Sequence, residues 1–141
     1  MKKLTCSLLL GLTAAASAWA GTPLWMRDVR ISPDGSQIAF CYKGDLYKVN
    51  AQGGEAVRLT SQASYESSPV WSPDGRQIAF ASDREGNMDV YVMPADGGSA
   101  RRLTYNSASE VPTAFSPDGK KVYFNAALQD PAASALFPTS A

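Results

Sequence analysis

The tetrapeptide Ser-Pro-Asp-Gly occurs three times in this chain, at Ser32–Gly35, Ser72–Gly75 and Ser116–Gly119. Ser32 to Ser72 spans 40 residues and Ser72 to Ser116 spans 44. A tandem unit of that period is the length of one four-stranded propeller blade. The first two copies agree well beyond the tetrapeptide. Gln37-Ile-Ala-Phe40 matches Gln77-Ile-Ala-Phe80, Asp45-Leu-Tyr47 matches Asp89-Val-Tyr91, Gly53-Gly54 matches Gly97-Gly98, and Arg58-Leu-Thr60 matches Arg102-Leu-Thr104. The extra length of the second unit falls between Phe80 and Asp89, where a connection between strands tolerates insertion.

The recurring pieces read as strands and turns. Proline presets the second position of a tight turn, aspartate suits the third, and glycine takes the left-handed conformation that leads into the next strand. Strands are expected over Val29–Ser32, Val70–Ser72 and Ala114–Ser116, then over Gln37–Tyr42, Gln77–Ser82 and Lys121–Asn125. Third strands follow at Asp45–Val49 and Asp89–Met93, and fourth strands at Ala56–Thr60 and Ala100–Thr104. The second strands alternate bulk as well as polarity: Ile38 and Phe40 oppose Ala39 and Cys41, and Ile78 and Phe80 oppose Ala79 and Ala81. A sheet apolar on both faces must be covered on both sides, as stacked blades are.

The expected class is therefore all-β, a propeller of antiparallel four-stranded blades of about 40–44 residues, incomplete here at about two and a half blades. Blade one covers 28–60, blade two 68–104 and a partial blade three 111–126, within a propeller segment of 21–126. Residues 127–141, rich in Ala, Ser and Pro, read as a loop at a truncated end, and the remaining blades are expected in a longer chain.

The first twenty residues read as a signal peptide. Lys2 and Lys3 precede an uncharged apolar stretch, Leu8–Ala16, and Ala18-Trp19-Ala20 has the small-x-small form of a cleavage site. Cleavage before Gly21 leaves no membrane-spanning stretch, because the apolar run is shorter than the ~20 residues a helix needs to cross. An exported, periplasmic protein is the expectation. Loss of Lys2 and Lys3 reduces the 13 Lys and Arg to 11, against 13 Asp and Glu, a net charge of −2. With no basic block, nucleic acid is not an expected partner. The chain has no histidine, which excludes a Ser-His-Asp or Cys-His centre built from these residues. Cys41 alone remains after cleavage and cannot form an internal disulfide.

No catalytic, cofactor-binding or metal-binding residue is assigned. Asp34, Asp74 and Asp118 recur because the turn requires them. Asp83, Glu85, Asn87 and Asp89 alternate as calcium-loop ligands do, but glycine is missing from the sixth position. A polar hairpin tip with Arg84 paired to a nearby acid is expected instead. Cys41 stands where the next unit has Ala81 and reads as a small packing residue. Tyr47 and Tyr91 share one blade position and read as structural, whereas Tyr65 and Tyr105 lie in connections, free to face a channel or partner. Ser67, Ser68 and Ser107 lie in no Gly-x-Ser-x-Gly elbow.

The run Ser-Pro-Asp-Gly-x-x-Ile-Ala-Phe, Asp-x-Tyr, Gly-Gly and Arg-Leu-Thr resembles the propeller repeat of the tricorn-type serine proteases. It is also similar to the periplasmic propeller protein of the Tol–Pal system. The resemblance covers roughly Leu24–Asn125. Only Gly21–Arg27 precede the first unit, which favours the tricorn type over the Tol type with its preceding α/β domain. Tyr65-Glu-Ser-Ser-Pro-Val-Trp71 and Leu103-Thr-Tyr-Asn-Ser-Ala-Ser109 look like that family's second and third repeats. The resemblance implies a non-catalytic passage or docking module for peptides, with the catalytic groups in a carboxy-terminal domain. Two alternatives stand beside it, a Tol-like scaffold for an envelope lipoprotein and the cap of a prolyl-type oligopeptidase.

Overall fold

The computed structural model describes residues 25–126 and 136–138. The expected signal peptide lies outside them. Two four-stranded antiparallel sheets and one three-stranded sheet make up the fold. The first holds β1 (Met26–Ile31), β2 (Gln37–Tyr42), β3 (Asp45–Asn50) and β4 (Val57–Arg58) in sequence order. The second repeats that order with β5 (Glu66–Trp71), β6 (Gln77–Ser82), β7 (Asp89–Pro94) and β8 (Arg101–Arg102). The third has β9 (Glu110–Phe115) and β10 (Lys121–Ala126), with β11 (Leu136–Pro138) on the far side of β10. The first strands β1, β5 and β9 lie side by side. The sheets fan outward from them as blades do from an axis, and the all-β propeller class is borne out.

Three expectations need correction. The opening strands start earlier, at Met26, Glu66 and Glu110. Each carries a bulge, between Arg27 and Arg30, between Ser67 and Val70, and opposite Tyr123 and Phe124, which breaks the alternation that would have revealed its first half. The fourth strands are only two residues long, because Leu59 and Leu103 turn back to bond Leu46 O and Val90 O outside the ladder. The third unit also gains a strand inside the expected 127–141 loop. Leu136–Pro138 pairs with Lys121–Tyr123 and satisfies the edge groups that β10 would otherwise leave open.

Large side chains of one blade rest on small ones of the blade before. Ile78, Phe80, Tyr91 and Met93 of blade two share a buried cluster with Ala39, Cys41 and Leu46 of blade one. On the opposite face, Ala79, Val90 and Val92 receive Phe115, Val122 and Phe124 of blade three. The sheets are thereby covered on both sides, as the alternation requires. Each buried Phe, Ile or Val side chain contributes roughly 1.5–3 kcal/mol. Blade one's bulky face has no such cover among the described residues. Met26, Phe40, Tyr42, Tyr47 and Val49 border an open hollow there.

The three Ser-Pro-Asp-Gly turns are built alike. Gly35, Gly75 and Gly119 have φ of 73°, 71° and 71° and donate to Ser32, Ser72 and Ser116 carbonyls. Each aspartate accepts from its turn serine and from the amide two residues on, Ser36, Arg76 or Lys120. Each serine hydroxyl also accepts the N–H of the next strand's first residue, Gln37, Gln77 or Lys121. Hydrogen bonds from Ser32 and Ser36 hold the Asp34 carboxyl down at about 2. Hydrogen bonds from Ser72 and Ser116 likewise lower Asp74 and Asp118. A depressed carboxyl favours the folded state above its unfolded value, ~3.9, and that contribution fades as pH falls through the folded value. An NMR titration of side-chain carboxyl carbons should therefore give Asp34 a midpoint about two units below an unstructured aspartate. An ordinary midpoint would disprove the turn network.

Candidate functional site

The antiparallel order places two kinds of loop at opposite ends of the blades. One end carries the Ser-Pro-Asp-Gly and Gly-Gly turns, nearly identical from blade to blade. The other carries Lys43-Gly44, the 59–65 link, the 83–88 insertion and the 103–109 link. That second end differs from blade to blade and is the candidate site.

A buried anchor stands beneath it at the first blade junction. Glu66 is fully buried and accepts hydrogen bonds from Thr60 Oγ1 at 2.9 Å, Ser82 Oγ at 3.0 Å and Ser64 Oγ, and Arg84 Nη2 lies 3.3 Å from it. Thr60 in turn accepts the Leu46 N–H at 2.9 Å, so the anchor ties the opening of blade two to the third strand of blade one. Beside it Arg58 pairs with Asp45 at 2.7 Å. At the second junction Arg102 pairs with Asp89 at 2.6 Å, and Thr104 accepts the Val90 N–H at 2.9 Å. Burial pushes the Asp89 carboxyl up, and the Arg102 guanidinium opposes that shift.

Asp-x-Tyr and Arg-Leu-Thr are thus two halves of one bracket. Glu66 completes it at the first junction through Thr60, Glu110 holds the equivalent place at the second, and the sequence reading missed both. The signal was present, since each stands six residues after the threonine of Arg-Leu-Thr. Glu110 is also fully buried, but Ala108 and Ala126 replace Ser64 and Ser82 around it. Asn106 donates to its Oε1 at 2.8 Å, and among the described residues its Oε2 has no partner.

The insertion is not a free tip. Asp83 accepts the Tyr65 N–H at 2.7 Å. Arg84 reaches Glu66, as the expected pairing with an acid requires, and stacks 4.4 Å over the Tyr91 ring. Asn87 donates to the carbonyls of Asn106 and Ala108 at 3.1 and 2.9 Å. Of the side chains spaced like calcium ligands, Asp83, Asn87 and Asp89 are therefore engaged with protein groups. Among the described residues no cluster of three His, Cys, Asp or Glu side chains is placed to hold a metal ion.

The remaining candidates divide by exposure. Tyr91 is buried and stacks on Phe80, and Tyr47 stacks on Phe40, both in structural positions. Cys41 is buried in the junction, and burial pushes its thiol up to about 12, which keeps it protonated. Tyr65 and Tyr105 are exposed, as expected for the connections. Tyr105 covers the Arg102 guanidinium at 4.7 Å.

Tyr65 belongs to a cavity of about 300 Å³ lined by Trp25, Arg27, Cys41, Lys43, Gly44 and Tyr65. Its main chain is fixed on two sides. Asp83 holds its N–H, and its Cα and ring lie within 4 Å of where a Gly44 Cβ would stand. Its ring remains open, and its hydroxyl lies 3.5 Å from Arg27 Nη1. Lys43 has φ 52° in a two-residue hairpin loop with Gly44 at 89°. Asparagine is the usual occupant there, and a lysine in that conformation costs about 1–2 kcal/mol.

The fanned sheets and bracketed junctions define a β-propeller module. The family model of the tricorn protease N-terminal β-propeller domain matches residues 23–137, and the chain belongs to that family. It is 39% identical over 71 residues to the uncharacterised peptidase YuxL of Bacillus subtilis, covering 47% of this chain and 11% of that protein. A TolB candidate structure from Agrobacterium tumefaciens superposes with a TM-score of 0.63 at 33% identity, over 71% of this chain and 39% of the other. The tricorn protease itself superposes with a TM-score of 0.63 at 24% identity, over 73% of this chain and 11% of its own, and shows the fold alone. The chain spans well under half the length of each of these relatives. It is a propeller segment of a peptidase-related protein.

Removing the Glu66 carboxylate strands a mostly buried guanidinium and three hydroxyl donors. Glu66→Ala should lower stability by about 3–5 kcal/mol in denaturant titration, and Glu66→Gln by less. A loss below about 1 kcal/mol for the alanine variant would show that the anchor is dispensable.

Proposed function

We propose that this chain is the non-catalytic propeller of an exported tricorn-type serine peptidase and gives peptides a passage or docking surface. The observation that carries the reading is the family match over residues 23–137, combined with a variable end where exposed aromatic and cationic side chains stand on a rigid frame. A bracketed sheet stack supplies rigidity, and loops grafted on such a scaffold supply recognition. The polar groups at the junctions are occupied in holding blades together, so this segment binds and positions peptides while another part of the protein cleaves them. The apolar stretch Leu8–Ala16 and the Ala18-Trp19-Ala20 site support export to the periplasm. The open hollow on the bulky face of blade one supports a further blade of the complete protein as its neighbour.

A second reading is favoured by the 33% identity with the TolB candidate, which exceeds the identity with the tricorn protease. In that reading the propeller is a scaffold for an envelope lipoprotein. The whole protein, purified from the periplasmic fraction, separates the two. The peptidase reading expects a mature amino terminus at Gly21 and hydrolysis of fluorogenic peptides that a serine-directed inhibitor abolishes. Co-purification with an envelope lipoprotein and no hydrolysis would overturn it in favour of the scaffold.

A further inference from the structure

The cavity at the variable end has an unusual charge balance. Arg58, Arg84 and Arg102 each meet a carboxylate at 2.6–3.3 Å. Arg27 and Lys43 line the cavity, and among the described residues neither forms an ion pair. Arg27 reaches only the Tyr65 hydroxyl at 3.5 Å, and Lys43 lies 5.4 Å from the Tyr42 ring centroid. Two cations and a phenol therefore line the cavity with no carboxylate among its lining residues, although Asp28 and Glu66 lie close enough to act on the Cys41 thiol. The lining also includes the apolar Trp25 indole, 60% exposed, and the buried Cys41 side chain.

The frame around these groups is prearranged. The Lys43-Gly44 turn adopts the doubly left-handed conformation that would suit asparagine, with lysine there instead. A backbone outlier retained beside a cavity points to a use for the side chain it carries. The Glu66 N–H bonds Gly44 O at 2.7 Å, which locks that turn to the opening of blade two. Tyr65 is held by Asp83 and by close approach to Gly44, so little ordering remains for a ligand to impose.

We propose that this cavity is a subsite for a peptide carboxylate flanked by an apolar side chain. Arg27 and Lys43 hold the charge, the Tyr65 hydroxyl donates to it, and Trp25 covers the apolar neighbour. A planar guanidinium suits a carboxylate, and the lysine adds a second charge. The proposal rests on the reading that peptides are what this propeller handles, and it specifies which peptides the site retains.

Fluorescence anisotropy on the mature full-length protein tests it with three dye-labelled peptides. One carries a glutamate between leucines and an amidated end, one has glutamine in its place, and one has that glutamine with a free terminal carboxylate. At least one acid-bearing peptide should bind about tenfold more tightly than the uncharged one, more weakly in high salt. Which of the two binds tells whether a side chain or a chain terminus is the source. Arg27→Gln with Lys43→Asn should erase the preference, and the asparagine retains the left-handed turn, so the melting temperature should hold. Equal binding of all three peptides, or an unchanged preference in the double variant, would overturn the subsite. Peptide hydrolysis measured alongside keeps the outcomes distinct, since equal binding with intact hydrolysis removes the subsite and leaves the peptidase reading standing.

Discussion

The structure depends on steric complementarity between successive sheets. Each blade offers small residues to the blade after it and sends large ones onto the blade before it. Ala39 and Cys41 leave the space that Ile78 and Phe80 fill, and Ala79 leaves space for Phe124 and its neighbours. Protein interiors pack as densely as organic crystals, so this exchange also fixes the spacing of the sheets. Polar brackets then set the register. Glu66, Thr60 and Leu46 link two blades through a chain of hydrogen bonds, and the Asp28 carboxylate accepts the Ser68 N–H across the same junction at 3.0 Å.

The second junction follows the first imperfectly. Pro112 occupies the position equivalent to Ser68 and has no N–H to donate, so the link from Asp28 to Ser68 cannot recur there. Glu110 has lost two hydroxyl donors to alanine, and Tyr123 and Asn125 stand where blade two has Ala79 and Ala81. Blade three therefore turns a bulkier and more polar second strand toward whatever follows it.

Much of this was legible in the sequence because turns and packing leave short-range signatures. Pro and Gly at fixed offsets gave the hairpins, and Ile-Ala-Phe-Ala gave two buried faces. Asp28 and Ser68 could not be read in this way. Their left-handed φ of 53° belongs to bulges, and neither residue type announces one. Glu66 carried no local mark of burial, because its partners Thr60, Ser82 and Arg84 come from three separate segments. The Trp25–Arg27–Lys43–Tyr65 cavity was half visible. Tyr65 was expected to be exposed, but only the fold brings Arg27 to its hydroxyl, across 38 residues of chain.

The large-on-small exchange is open to a volume swap. Phe80→Ala empties space in the first junction, and Ala39→Leu crowds the same cluster from the opposite sheet. If the two sheets interlock, the double variant will be more stable than the summed single effects, with a coupling of roughly 1 kcal/mol or more in denaturant titration. Strict additivity would mean that the sheets do not share one packed junction, and the propeller account would fail with it.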